Sequence, residues 1–186
     1  MLAHSVMALA LVVRLYDAYG VSAAELDAAR ATGGSILGDA GIAVTWVACP
    51  CDERVGPAEL IVRVIAATAA SERDSLGFSY VDLARRSGTL ATVFADRVRT
   101  RASEARVSSG ELLGRAMAHE IGHLLLGTTQ HDSRGLMRGR WTAIELQNNR
   151  RWDWSLPRET IVQMDRALRA RLRGLQEPDD VLALRP

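Results

Sequence analysis

Apolar positions along the chain fall into two periods. Short runs rich in β-branched residues, bounded by Gly, Pro, Ser or Asp, predict strands at residues 7–16 (MALALVVRLY), 42–48 (IAVTWVA), 59–66 (ELIVRVIA) and 89–98 (TLATVFADRV). The first is apolar enough to be buried mainly on both faces. Residues 67–88 are weakly patterned: 71–75 reads as polar loop, and 76–81 as a short strand or a flap. Helical periods begin at capping boxes, where a hydroxyl precedes a glutamate by three positions. Ser22–Glu25 opens one helix that runs to about Leu37, with Gly38 and Gly41 as its stop, and Ser108–Glu111 opens a second from about Ser109. Thr142–Glu145 opens a short one carrying residues 147–151. Residues 157–175 form an amphipathic helix, with Ile161, Met164, Leu168, Leu172 and Leu175 on one stripe. Arg158, Arg166, Arg169, Arg171 and Arg173 are expected on its solvated face, and 177–186 is expected to fray. The order strand, helix, strand, strand is that of an α/β layer.

Composition narrows this only a little. A chain of 186 residues suits one domain and needs no covalent staples. Its formal net charge of +1 gives no reason to expect a nucleic-acid or acidic-membrane partner. Every basic residue is arginine, which with the abundant alanine reflects a GC-rich coding sequence and not the fold. The first twenty residues lack a long uncharged apolar run, so no membrane span is expected, and they show no clear signal peptide. The two cysteines stand as Cys49-Pro50-Cys51, leaving three uses open: plain packing, a short-loop disulfide, or a thiolate that blocks a metal. Trp141, Trp152 and Trp154 are expected as packing anchors, Trp141 also as a pocket wall.

The second capped helix carries chemistry that its packing does not require. It is apolar almost all round, through Leu112, Leu113, Met117, Ile121, Leu124, Leu125 and Leu126, and is therefore buried. Yet it contains His119-Glu120-Ile121-Gly122-His123, whose imidazoles, four residues apart, share one face with Glu120 beside them. Burying these groups without partners costs several kcal/mol, and a shared ion removes that cost. Zn²⁺ takes neutral imidazole nitrogen in a tetrahedral shell, and a catalytic site keeps one position for water. Two histidines are then one ligand short. Gly127 stands where a left-handed helix end favours glycine, and His131 follows on the returning chain. Asp132 is the nearest substitute for His131. Glu145 is a second, though its place in a capping box already accounts for it.

The run His119-Glu120-x-x-His123-x-x-x-Gly127-x-x-x-His131, followed by Gly135-Leu136-Met137, resembles the metzincin metallopeptidases. The commonest metzincin pattern has two residues on each side of the glycine, where this chain has three. The resemblance implies Zn²⁺ held by His119, His123 and His131, Glu120 as general base, and Gly127 as the turn. Met137 would lie in a methionine turn that floors the ligands. It implies an α/β (α+β) fold: a twisted mixed β-sheet, two long helices including the active-site helix, and a small, mainly helical C-terminal subdomain. One catalytic domain would span 1–186, with residues 1–128 as its upper subdomain and 129–186 as its lower one. The resemblance also places strand 89–98 at the sheet edge, pairing with an extended substrate; a plain sheet strand is the alternative. The implied activity is hydrolysis of peptide or protein substrates by a zinc-dependent endopeptidase, with an extracytoplasmic location open to it. Two other classes remain: a metal-dependent endoribonuclease with three histidines, which lacks the Glu after the first His, and a non-catalytic zinc-stabilised binding module. The last requires a fourth ligand such as Cys49, Cys51 or Asp132.

Overall fold

The computed structural model describes residues 9–173 apart from 57, 70, 72 and 73. Positions 7 and 8 of the first expected strand, the end of the last helix and the fraying segment 177–186 lie outside the described residues. In chain order the elements are β1 (Leu9–Asp17), α1 (Ala23–Asp39), β2 (Ile42–Cys49), β3 (Glu59–Ile65), β4 (Gly77–Asp82), β5 (Ser87–Phe94), α2 (Ala95–Ala105), α3 (Ser109–Leu126), α4 (Ala143–Asn148) and α5 (Arg158–Arg173).

The strands form one mixed sheet in the order β2-β1-β3-β5-β4. The first four in that order pair in parallel, and β4 joins β5 antiparallel through a short turn. Alternation sorts each strand's side chains between the faces. Leu11, Val13 and Leu15, Leu60, Val62 and Val64, and Ala91 and Val93 are fully or nearly fully buried and stand side by side in register. α1 and α3 cover this face, packed against each other and against the sheet. They approach closely because Gly114 of α3 faces Ala29, where a methyl group would come within 2.4 Å of the Ala29 carbonyl oxygen.

Both long helices begin as their sequences predict. Ser22 accepts from the Glu25 N–H and Glu25 returns the bond, a complete capping box, and Ser108 accepts from the Glu111 N–H to start α3. α3 ends at Gly127, whose φ of +63° is left-handed and whose N–H donates to the His123 carbonyl. A side chain there would also strike the Arg86 backbone, at 2.1 Å.

Four expectations need correction. The strand expected over 89–98 stops at Phe94, and α2 begins immediately after it. Ala95, Val98, Ala102 and Ala105 then form a buried helical stripe in place of alternation. That strand, β5, is internal; the sheet edge beside the site is β4, the segment whose pattern fits a strand or a flap. Trp152 does not anchor the core, being 67% exposed while Trp154 is buried. The 3₁₀ turn Arg151–Asp153 explains this: at three residues per turn, positions two apart point to different sides. Arg171 leaves the solvated face of α5 and donates to the carbonyls of Gly88 and Leu124, at 2.6 and 3.1 Å. Cys49 and Cys51 form a disulfide, which selects one of the three uses left open for them.

Candidate metal centre

α3 presents His119, Glu120 and His123 at the end of the sheet face, all three buried. The chain released by Gly127 brings His131 back to them from the exposed side. His123 Nε2 lies 3.0 Å from His119 Nε2 and 3.3 Å from His131 Nε2. The rings are held from behind. His119 Nδ1 is 2.8 Å from the Leu136 carbonyl oxygen and His123 Nδ1 is 2.8 Å from that of Thr128. A carbonyl only accepts, so each Nδ1 carries the proton and each Nε2 turns a lone pair toward its neighbour. Burial, then the neighbouring imidazoles, lowers the pKa of His119 to about 3 and that of His123 to about 4. Both are neutral near pH 7.

These residues fit a metal ion. Two lone pairs opposed at 3.0 Å in a buried place repel unless a cation lies between them. Ligands about 2.0–2.1 Å from a tetrahedral zinc stand roughly 3.3–3.4 Å apart, close to the separations found. Among the described residues the group able to hold an ion has three members, His119, His123 and His131. Asp132 and Glu145 do not belong to it. Glu145 closes the Thr142 capping box and pairs with Arg138. Neither disulfide-bonded cysteine contributes a ligand.

The surroundings shape this cluster. Leu136 and Met137 are buried, and the Met137 N-terminal neighbour supplies the carbonyl that orients His119. Met137 Sδ sits so close to Gly122 that an added methyl there would lie 2.5 Å from it. Trp141 packs edge-on to His119 with ring centroids 5.6 Å apart, and to Trp154 at 5.4 Å. Gly139 leaves room for the His131 ring, which would stand 3.2 Å from a Cβ at that position. A cleft of about 670 Å³ opens onto the histidines between β4 on one side and α2 with Arg138–Trp141 on the other.

Glu120 is the fourth group at the centre. It lies under β4, where Ser79 Oγ donates toward its Oε2 at 2.7 Å, and burial raises its pKa to about 7 against the lowering effect of that bond. β4 keeps one edge open. The Phe94 N–H donates to the Leu76 carbonyl, and antiparallel bonded pairs alternate, so Phe78 and Tyr80 face β5 with their backbone groups. The N–H and C=O groups of Gly77 and Ser79 therefore point to the cleft side, and the Ser75 hydroxyl holds both groups of Gly77 there. Nothing local in the sequence marks Ser79 or Gly77. Neither belongs to a motif, and only the sheet order brings them to Glu120.

No protein-family model matches this chain, and no curated protein matches it in sequence. Solved structures do match in fold. A crystal structure of a zinc-dependent peptidase from Methanocorpusculum labreanum superposes with a TM-score of 0.53 at 15% identity, covering 82% of this chain and 99% of that one. The crystal structure of archaemetzincin from Methanopyrus kandleri superposes with a TM-score of 0.56 at 14% identity, covering 90% and 99%. This chain thus has the mixed α/β fold of those two proteins.

Proposed function

We propose that the protein is a zinc-dependent endopeptidase of metzincin type, with His119, His123 and His131 as ligands and Glu120 as general base. The observation that carries the reading is the convergence of three imidazole Nε2 atoms beside a buried carboxylate, under an open strand edge. The fold shared with a zinc-dependent peptidase and an archaemetzincin supports it. So does the lack of a fourth protein ligand among the described residues, which favours a site that keeps a position for solvent over a saturated structural one.

Zinc held by the three imidazoles would supply Lewis acidity toward the scissile carbonyl and a lowered pKa for water. The chain's own residues do the rest. Leu136 O and Thr128 O hold the His119 and His123 rings in the tautomer that leaves Nε2 free. The open groups of Gly77 and Ser79 suit an extended peptide laid along β4, once the Ser75 hydroxyl yields the bonds it makes to Gly77. Glu120, buried beside the ligands and held by Ser79, accepts a proton from the attacking water and returns it to the leaving amine. Met137 beneath Gly122 would serve as the methionine turn, and the chain beyond residue 128 as the lower subdomain.

The test is metal analysis of the purified full chain, with cleavage of dye-labelled casein in the presence and absence of chelator. Zinc-loaded Glu120→Gln should keep its metal and melting temperature and lose roughly 10²–10⁴ in kcat. Cleavage indifferent to chelator, or undiminished in that variant, would sink the proposal. Cleavage of RNA in place of casein would favour the endoribonuclease.

A further inference from the structure

We infer that Ser79 is the positioning residue of Glu120, tying the general base to the same strand whose edge is open to substrate; the kinetic half of this rests on the peptidase reading. Ser79 Oγ stands 2.7 Å from Glu120 Oε2 and 2.8 Å from the Glu120 carbonyl oxygen. Among the described residues it makes the one side-chain hydrogen bond of that carboxyl group. Two residues earlier, the absence of a side chain at Gly77 leaves room for Glu120: a Cβ there would lie 3.0 Å from Oε1 and 3.1 Å from Cγ. The Glu120 side chain thus lies against positions 77 and 79 of one strand, bonded at the second and admitted by the first.

Strand geometry gives this contact its meaning. The side chain of Ser79 points down to α3, while its N–H and C=O point to the open edge. A peptide that pairs with the edge orders the backbone of Ser79, and the Ser79 hydroxyl transmits that order to the carboxyl group that must meet the reacting water. A glutamate loses considerable rotamer freedom when fixed, and small misplacements of a catalytic group are costly in rate. A hydroxyl that only fastened β4 to α3 would bond the Glu120 carbonyl and leave the carboxyl indifferent.

Threonine and valine at position 79 share a shape and differ by the hydroxyl, so they separate the two roles. Ser79→Thr, Ser79→Val and Ser79→Ala would be prepared as full-length protein. Their kcat and KM would be measured with zinc on a long fluorogenic peptide. Independently of catalysis, the ¹³C carboxyl resonance of Glu120 would be followed with and without zinc, assigned by its loss in Glu120→Gln. The expectation for Val and Ala is a kcat lowered roughly 10- to 100-fold with KM within about twofold, unchanged zinc content and a displaced or broadened resonance. Thr should keep most of kcat and the wild-type resonance. Equal kcat for Thr and Val with an unmoved resonance would overturn the inference, as would a change confined to KM. If the wild type cleaves nothing, the peptidase reading fails and the resonance alone decides the role of Ser79: displacement in Val but not Thr upholds it, and identity refutes it.

Discussion

Replacing Gly122 with alanine measures how tightly Met137 is packed beneath the histidine-bearing helix. Two effects oppose. Alanine inside a helix is favoured over glycine by about 1 kcal/mol. The new methyl group, however, would lie 2.5 Å from Met137 Sδ and 3.1 Å from its Cε, where comfortable contact needs about 3.5–4.0 Å. The sulfur must retreat by about 1 Å, and Met137 is only 1% exposed, so it has to push against the core instead of swinging into solvent. Overpacking of this kind typically costs about 1–3 kcal/mol. The net change expected for Gly122→Ala is a loss of about 1 kcal/mol. Met137→Ala alone should cost about 2–5 kcal/mol through the cavity it leaves. Combined, the clash disappears, the helix preference remains and the methyl fills some of the void. The double variant should therefore be about 2–3 kcal/mol more stable than additivity predicts. Urea unfolding in excess chelator gives all four stabilities without a contribution from bound metal, and m-values should not change. Additivity within about 0.5 kcal/mol, or a Gly122→Ala variant stabilised by the full helix preference, would refute the close packing of Met137 on α3.

His131→Ala should lower zinc occupancy sharply, while Glu145→Ala should leave it unchanged and cost about 1–3 kcal/mol by removing both the cap of α4 and the partner of Arg138; metal analysis and thermal melts distinguish the two. Gly127→Ala must hold a left-handed turn with a side chain against the Arg86 carbonyl, and should cost more than the roughly 1 kcal/mol of the conformation alone, with zinc affinity falling as the return to His131 shifts. Glu25, hydrogen-bonded by Arg99 and Ser109, has its pKa lowered from 4.5 to about 2. Its contribution is therefore fully present above about pH 4.5 and is lost as pH falls toward 2. Its size is about 1–2 kcal/mol once solvent screening at the half-exposed Arg99 is allowed for. Acid titration of wild type against Glu25→Gln, followed by circular dichroism, should show this difference vanish between pH 4.5 and 2.

Local signals carried much of the helical portion of the site. The Ser108 cap, the apolar run through Leu126 and the glycine at 127 set where α3 starts and stops, because each acts within a turn of its own position. The same spacing put His119, Glu120 and His123 on one face; His131 was a candidate because it follows the glycine turn, and the metzincin resemblance preferred it to Asp132 and Glu145. α2 went unread for a local reason too. Phe94 offers no capping side chain, the helix is rich in arginine, and the β-branched run before it carried the strand reading four residues too far. Its stripe of Ala95, Val98, Ala102 and Ala105 was the available signal, but alanine is a weak marker of burial.

What only the tertiary structure decided is non-local. Strand order depends on pairings between segments far apart in the chain, so nothing within 77–82 announces an edge strand, and the resemblance assigned the edge to its neighbour. The meeting of Ser79 with Glu120 spans 41 positions and follows from that order. The fate of Arg171 was likewise set by what lay opposite, two carbonyls at the end of α3 and the start of β5, which no helical wheel contains. Periodicity reports which face of an element avoids water; it carries no information on which other element will cover that face, and the surroundings of Glu120 are made of such encounters.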